Sequence, residues 1–459
     1  MGGWFKRTLL VLLVCALCWG GAIWYWRATN RMPASEDLVR YLAVLPLMLL
    51  LLIWVGSKLL ALSMAAPAAA APAPPQGDTA PASAPEVAPL AILASALRAP
   101  HGASPEQLSR AFAENTARAE LDPELIDDAG FPVMTARSAD ALDAALQEDA
   151  MAWLHENGLP ELRLDEEQWR ALSMGSAVAS DLAAQAVTMQ LAPDGMLQLI
   201  PILPQAWQLD QRRAAGLWLR QMVVRAGWPP ARITLVAELP LDARGASPLA
   251  VLGRLAHHAA IGEAPMAAIM VACGSHLGPA SVSSWSGKAT LFTASQPHGL
   301  VPGEGAAGLL LADAHQADAR DGAPVILLHT VDEARRHNSA DETKRADAAL
   351  LGTLTEKVLA RAAFQADQVA MIVADTGNRT SRVLELMGLA AAAMPQLDES
   401  ADVIRIGAAC GTCGAVPFMT ALAVATHHAL ERDAPVLCIS NEDAYRRCAA
   451  LIRPAASLS

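Results

Sequence analysis

The sequence predicts an α/β fold in which helices cover both faces of a sheet. From about residue 198 onward, short apolar runs of strand length alternate with stretches of helical spacing. Strands that are apolar on both faces are typical of a sheet buried between layers of helices. The predicted strands are Leu199–Leu203, Ile233–Ala237, Ala267–Cys273, Gly308–Leu311, Val325–His329, Val369–Ala374 and Val436–Ile439, and the predicted helices include Ala214–Val224, Leu249–His258, Ala348–Ala363 and Met419–Leu430.

Composition and charge limit the possible functions. A chain of 459 residues holds about two to three domains, and 53% hydrophobic against 17% charged side chains excludes a wholly disordered chain. The formal net charge is −12, but the first 64 residues carry +4, so the remainder carries −16. Because so acidic a body repels a phosphate backbone, we predict no binding to nucleic acid.

Residues 1–64 predict a two-helix transmembrane hairpin. Thr8–Trp26 is an uncharged apolar run that ends in an aromatic belt, with basic residues on both sides. A second run, Tyr41–Met64, is interrupted only by Lys58, which is close enough to its end to snorkel. A cleaved signal peptide is the alternative for the first run, but the sequence has no convincing small-residue cleavage site and the second run follows at once.

The cysteines indicate on which side of the membrane the body lies, because the basic residues flanking the two runs balance. Five of the seven cysteines lie in the body, an odd number without the spacing of a small disulfide scaffold. This usage favours a reducing compartment. We therefore predict that the soluble body is cytoplasmic and tethered to the inner face of the membrane.

Beyond the hairpin, the chain divides into three further regions. Residues 65–89 form an Ala/Pro-rich linker that cannot bury a core. Residues 90–197 predict a mostly helical region, with Ser104 as the N-cap of one helix and a second helix from Ser138 to Trp153. Residues 198–459 form the α/β region, and no internal repeat is apparent in the sequence.

Three ordered blocks in the α/β region resemble a known family. Leu252–Leu277 predicts a helix, a turn and a buried strand, His298–Asp313 contains a GEGA sequence, and Ile406–Ala415 is a glycine-rich turn. In this order and spacing they resemble the β-ketoacyl synthases, and the run APVLCIS resembles the family's final strand. The resemblance covers roughly Leu235 to Arg453 and implies a thiolase-like layered fold. The positions that match the family's motifs are Gly303, Glu304, Gly305, Gly407, Gly411 and Gly414.

The same resemblance implies a catalytic cysteine and two histidines, and the sequence lacks all three. The nucleophile of the family belongs at a helix N-terminus that corresponds to the neighbourhood of Leu241–Leu249, which has no cysteine. The first histidine corresponds to the region Asp375–Arg379, and the second falls on Ala408. Ser247 supplies a hydroxyl without a histidine base nearby in sequence. We therefore predict no condensing activity, no catalytic residue and no cofactor.

Other chemistry-bearing residues have structural alternatives. Cys410 and Cys413 form a C-x-x-C, which suits a redox pair or half of a zinc site, but the resemblance places them in a tight turn, so we favour packing. Cys273 is interpreted in the same way. The pairs His257-His258 and His427-His428 lie on predicted helices, where neighbours point about 100° apart, so neither pair predicts a metal site.

The segment Asp375–Asn378 follows a predicted buried strand, and its function stays open at this point. A polar turn at the end of a strand is a common ligand site in an open sheet. The same residues are also what a turn needs for chain reversal and helix capping.

The overall arrangement of membrane segment, linker, helical region and pseudo-synthase is similar to the bacterial type VI secretion lipase-adaptor family. That resemblance implies a non-catalytic adaptor that recruits a lipase effector, so the expected partner is a protein. Two alternatives stay open: a diverged acyl-transfer or acyl-thioester-binding enzyme, and a structural component of a membrane assembly. A homodimer paired near Ile233–Pro240 is also expected, although Asp242 and Arg244 bring charges to that contact.

Overall fold

Strands and helices alternate through the body of the chain in the computed structural model. The structure describes residues 19–20, 48, 88–139, 141–159, 162–191, 195–236, 247–261, 265–313, 316, 325–330, 333–342 and 347–455. The chain divides into two compact units, Met1–Ala82 and Ser83–Ser459, and the second contains all the elements named below. The strands are β1 (Leu90–Arg98), β2 (Glu120–Ile126), β3 (Pro132–Thr135), β4 (Leu197–Ile202), β5 (Ile233–Leu235), β6 (Ala267–Ser275), β7 (Glu304–Ala312), β8 (Ile326–Thr330), β9 (Ala334–Arg335), β10 (Met371–Ala374), β11 (Val403–Arg405), β12 (Val436–Ser440) and β13 (Arg446–Pro454). The helices are α1 (Pro105–Ala113), α2 (Ala144–Glu156), α3 (Glu166–Thr188), α4 (Leu209–Arg225), α5 (Pro248–Ile261), α6 (Pro279–Gly287), α7 (Ala349–Ala362), α8 (Thr380–Ala393), α9 (Ile406–Cys410) and α10 (Val416–Arg432), with short 3-10 turns at Pro230–Arg232 and Ala366–Gln368.

One large sheet runs through the body in the order β11-β10-β12-β13-β8-β1-β7-β6-β4-β5, with β9 paired to β13, while β2 and β3 form a separate hairpin. The sheet has two halves of five strands. In each half the strands, numbered by their order in the chain, lie as 3-2-4-5-1. The second strand is parallel to the third and fourth, and the fifth is antiparallel to the fourth and first. The body is therefore a topological duplication, although no repeat is apparent in the sequence.

The alternation of side chains along the strands shows that each half-sheet is covered on both faces. In β6, Met270 faces a central apolar cluster that contains α5 and α10, whereas Ile269 faces an outer cluster that contains α3 and α4. In β12, Cys438 faces the same central cluster, and Leu437 faces a second outer cluster with α7 and α8. The result is five layers, α/β/α/β/α. The predicted α/β architecture with buried strands is confirmed.

The region 90–197 contains more strand than the sequence predicts. Leu90–Arg98 is a strand of the main sheet that joins the two halves, since it pairs with β7 from Ala91 to Arg98 and with β8 from Leu90 to Ile92. Its composition of alanine and leucine favours a helix, but tertiary pairing overrides that preference. The predicted regions 90–197 and 198–459 belong to the same compact unit, Ser83–Ser459.

The N-cap residues of two helices in this region can be compared with those that the sequence predicts. The Ser104 N-cap is confirmed, since its hydroxyl accepts the N–H of Gln107 at 3.2 Å. The helix expected from Ser138 instead begins at Ala144 with Asp143 as its N-cap, because Ser138 is held in a buried network described below. At the other end of the body, β12 is followed by one more strand, β13, so the run APVLCIS does not form the last strand.

The predicted membrane spans, Thr8–Trp26 and Tyr41–Met64, lie outside the described residues apart from Trp19, Gly20 and Met48, as does nearly all of the linker. Within the described part of the chain, no helix combines the length and apolar character needed to cross a bilayer.

The predicted dimer contact, Ile233–Pro240, begins in β5, which is an edge strand of the sheet. The homodimer through this region stays a prediction.

Candidate functional site

The GEGA sequence is anchored by a buried ion pair. Glu304 begins β7 and is 0% exposed. Its carboxylate accepts two hydrogen bonds from Arg170 of α3, at 2.7 and 2.5 Å, together with the N–H of Ser138 at 2.7 Å and the hydroxyl of Ser275 at 3.1 Å. These four donors satisfy the carboxylate within the protein. Glu304 therefore ties α3 to the sheet and offers no lone pair to a substrate.

Two motif glycines allow backbone segments to touch where no side chain fits. A Cβ on Gly303 would lie 2.1 Å from the carbonyl oxygen of Cys410, and one on Gly407 would lie 2.3 Å from that of Asp375. The GEGA hairpin therefore packs backbone to backbone on the glycine-rich turn, and this turn packs on the end of β10. The structure thus brings all three family blocks together, because β6 of the first block pairs with β7, and a Cβ on Gly274 would lie 3.1 Å from the carbonyl oxygen of Cys413. Gly305, Gly411 and Gly414 all have positive φ, of 157°, 66° and 65°.

Asp375 lies at the carboxyl end of β10 and is fastened to the loop after β12. Its Oδ1 accepts the N–H groups of Asn441 at 2.9 Å and Glu442 at 3.2 Å, and its Oδ2 accepts the hydroxyl of Ser440 at 2.5 Å. Thr376 donates to the Asn441 side chain at 2.6 Å. Burial raises the pKa of Asp375 to about 6, although these hydrogen bonds act to lower it. Because these polar groups bond within the protein, the geometry favours the chain-reversal interpretation over a ligand site.

A hydroxyl, a carboxylate and a thiol lie beside Asp375 at the start of α5. Ser247 accepts the N–H of Ala250 at 3.0 Å and donates a short hydrogen bond to Glu333. The Cys448 thiol has a raised pKa, caused first by burial and then by the Glu333 and Asp375 carboxylates, and Ser440, its partner across β12 and β13, bonds to Asp375. Ser247 comes from the first half of the body and the other three come from the second. We call Ser247, Glu333, Asp375 and Cys448 the seam cluster.

The seam cluster combines a hydroxyl, two carboxylates and one buried thiol, that of Cys448. Among the described residues, no histidine hydrogen-bonds to any of its four members, and residues 237–246, which precede Ser247, contain neither cysteine nor histidine in the sequence. Ala408, at the second histidine position, is half-buried and has no side-chain donor. A hydroxyl beside a carboxylate hydrogen-bonds well, but an ordinary carboxylate is a weak general base at neutral pH.

The cysteines of the motifs are buried thiols. Cys410 and Cys413 are each 1% exposed, and Cys273 is 2% exposed. Burial raises the pKa of Cys410 and of Cys273 to about 12 and also raises that of Cys413, with Cys410 as the next contributor. Thiolate formation, which redox exchange and metal binding require, is therefore disfavoured. The packing interpretation fits these surroundings.

The histidine pairs do not build a metal site. His257 and His258 are exposed on α5, whereas His427 is half-buried and His428 is buried on α10. Across the described ranges, no cluster of three or more His, Cys, Asp or Glu side chains is arranged to hold a metal ion. His427 and His428 instead approach the Glu431 carboxylate of the same helix, at 3.8 and 3.2 Å.

The partners of the motif residues were not accessible to sequence reasoning. Arg170 lies 134 positions before Glu304, and Glu333 lies 86 positions after Ser247. Neither residue belongs to a recognisable motif. The sequence also does not predict the β2–β3 hairpin, so it gives no signal for the exposure of Leu121, Ile126 and Phe131.

Comparison with known proteins supports the fold. No protein-family model matches the chain, and no curated protein matches it by sequence. The ketosynthase from module 6 of the bacillaene synthase from Bacillus subtilis 168 is similar, with a TM-score of 0.55 at 14% identity over 80% of this chain and 72% of that one. So are the oxazolomycin ketosynthase domain OzmH KS7 of Streptomyces albus JA3453 (0.53, 13%, 81% and 76%) and the ishigamide ketosynthase/chain length factor (0.51, 14%, 80% and 99%). The thiolase-like, ketosynthase-type fold is confirmed, and identities this low show the fold alone.

Proposed function

We propose that this chain is a non-condensing protein of ketosynthase fold that acts as an adaptor for a protein partner. The observation that carries the proposal is the composition of the catalytic positions. Ala408 stands where one histidine is expected, the turn beginning at Asp375 stands where the other is expected, and Leu241–Leu249, where the nucleophile is expected, contains no cysteine. The fold keeps its layers and its motif glycines while the chemistry is missing, a combination that suits a binding role.

The proposed partner is a lipase effector of a type VI secretion system. The support is the order of the sequence: a predicted membrane hairpin in residues 1–64, an Ala/Pro spacer, and then the pseudo-ketosynthase body. In this proposal the hairpin tethers the body to the cytoplasmic face of the inner membrane, and the body holds the effector until it is loaded on the secretion spike.

Deletion of the gene tests this function in the producing bacterium. We expect one lipase effector to stay inside the cell while effectors of other kinds are exported normally, and we expect the purified full chain to bind that lipase directly. Export is measured by immunoblotting the medium for each effector, with the complemented deletion strain as the control. Unchanged export of every lipase in the deletion strain would contradict the adaptor function.

A second candidate function is acyl transfer, and the contact between Ser247 and Glu333 favours it. Ser247 immediately precedes α5, and its hydroxyl accepts the N–H of Ala250 in the first turn of that helix. In such a reaction the Ser247 oxygen would attack a thioester carbonyl and its proton would pass to Glu333. The carbon–sulfur bond would then break and Glu333 would return the proton to the leaving sulfur, so that an ester on Ser247 and a free thiol replace the thioester. The proposal of a non-condensing adaptor predicts that this ester does not form.

A further inference from the structure

The β2–β3 hairpin presents large apolar side chains to solvent. Leu121 is 65% exposed, Ile126 61% and Phe131 67%. The opposite side of the hairpin is well packed, since Leu125 and Val133 belong to a small buried cluster with residues of the α6 region. Three large exposed apolar residues on one hairpin are unusual, because soluble surfaces normally scatter such residues singly.

The turn of the hairpin holds Phe131 in place. One carboxylate oxygen of Asp127 accepts the N–H groups of Ala129 and Phe131, both at 2.9 Å. The Asp127 N–H donates to the Phe131 carbonyl at 2.8 Å, and Gly130 adopts a φ of +84°. The aromatic ring is therefore carried by a hydrogen-bonded turn. Because the backbone of this turn is ordered before binding, a partner that covers the ring does not have to order the loop as well.

Two of the exposed residues, Leu121 and Phe131, line a groove. We call the groove lined by Leu121, Phe131, Pro132, Met134, Leu291 and Phe292 together with neighbouring small and polar residues the hairpin groove. Its volume is about 820 Å³, and it shares Ala289 and Gln296 with a second cleft of about 610 Å³ that reaches Arg379. A groove that continues into a second cleft can hold a segment of polypeptide.

The charge around the groove is acidic. Residues 120–131 contain five acidic side chains and no basic one. Arg137 pairs with Asp122 and Glu124, and Arg118 lies 3.9 Å from Glu120, but Asp127 and Asp128 line the groove itself. An apolar groove with an acidic rim is complementary to an apolar segment flanked by lysine or arginine.

We propose that the hairpin groove is a docking site for a basic, amphipathic segment of a protein partner, with Phe131 as the central anchor. Aromatic side chains at the centre of a desolvated patch carry most of the binding free energy in interfaces, and the rim charges set association rate and selectivity. The proposal rests on the adaptor function only for the biological identity of the partner.

The direct test uses the full chain in detergent and a labelled amphipathic peptide of leucine and lysine, about 18 residues or five helical turns long. A second peptide carries glutamate in place of lysine. Binding is followed by fluorescence anisotropy for the wild type, Phe131→Ser and Leu121→Ser. Ile261→Ser is the matched control, because Ile261 is 68% exposed but lies on α5 and does not line the groove.

We expect the lysine peptide to bind the wild type and the Ile261→Ser variant equally, and to bind Phe131→Ser at least about tenfold more weakly. Leu121→Ser is expected to weaken binding in the same direction, and it decides the question if Phe131→Ser does not fold. Equal binding of the lysine peptide to wild type and both groove variants, or equal binding of the glutamate peptide, would overturn the docking site.

The lipase experiment separates this inference from the proposed function. If a lipase depends on the chain for export and binds it, Phe131→Ser must weaken that binding by a similar factor. A lipase that binds wild type and Phe131→Ser equally overturns the docking site and leaves the adaptor function standing. If no lipase binds but the peptide results hold, the adaptor function fails for lipases while the docking site stands.

Discussion

Replacing Glu304 with glutamine is expected to destabilise the body by about 3–5 kcal/mol, because it leaves the Arg170 guanidinium buried without its counter-charge. The amide also loses acceptor capacity for the donors that converge on this carboxylate, among them the N–H of Ser138. The change is measured as the shift of the urea unfolding midpoint of the full chain in detergent, followed by tryptophan fluorescence.

Two comparisons show whether the buried charge is the cause. Glu106→Gln removes an exposed pair with Arg110, whose side chains are 67% and 62% exposed, and is expected to cost less than about 1 kcal/mol. The double variant Arg170→Met/Glu304→Gln is expected to lose less than the sum of the single losses, since neither partner is left charged. A loss below about 1 kcal/mol for Glu304→Gln alone would refute the structural role of the GEGA glutamate.

Alanine at Gly303 or Gly407 is expected to be the other strongly damaging change. The added Cβ would lie 2.1 Å from the Cys410 carbonyl oxygen at Gly303, and 2.3 Å from the Asp375 carbonyl oxygen at Gly407. Backbone cannot rotate away as a side chain can, so we expect losses at or above the upper end of the usual overpacking cost of about 1–3 kcal/mol. Unfolding midpoints of the two variants are compared with that of the wild type.

The matched control for these glycines is Gly352, which lies inside α7 and has no atom within 4 Å of the position of an added Cβ. Gly352→Ala is expected to stabilise the body by about 0.5–1 kcal/mol, because alanine favours a helix more than glycine does. If Gly303→Ala and Gly407→Ala unfold at the wild-type midpoint, the backbone contact between the GEGA hairpin and the glycine-rich turn is not as tight as described.

The parts of the fold that the sequence predicts are those with a local signal. Ala267–Cys273 is predicted as a buried strand and observed as Ala267–Ser275, because the run is apolar on both faces. Ser104 is predicted as an N-cap because serine before proline and glutamate is a strong helix start. The missed strand Leu90–Arg98 has a helix-favouring composition, and only its pairing with β7 and β8 makes it a strand. The sequence does not predict the duplication, because the two halves share the same strand topology but show no repeated pattern of residues.

In the candidate site, too, some residues can be predicted from the sequence and others cannot. The positions expected for the family's cysteine and histidines are inferred from motif order along the chain, which places one expected histidine on Ala408 and the other in the region after β10. The groups that surround these positions cannot be predicted from the sequence. Glu333 reaches Ser247, and Ser440 reaches Asp375, only when the strands assemble into the sheet. The exposure of Phe131 depends in the same way on the packing of a hairpin whose strands carry no alternating pattern.

The central claim is that the ketosynthase fold of this chain no longer performs acyl chemistry. Its most direct test is intact-mass spectrometry of the purified full chain after incubation with acyl and malonyl thioesters, together with a condensation assay on the same samples. We predict an unchanged protein mass and no condensation product for the wild type, and the same for Ser247→Ala. An acyl adduct on the wild type that Ser247→Ala abolishes, or any condensation product at an enzyme-like rate, would contradict the claim and favour acyl transfer at the seam cluster.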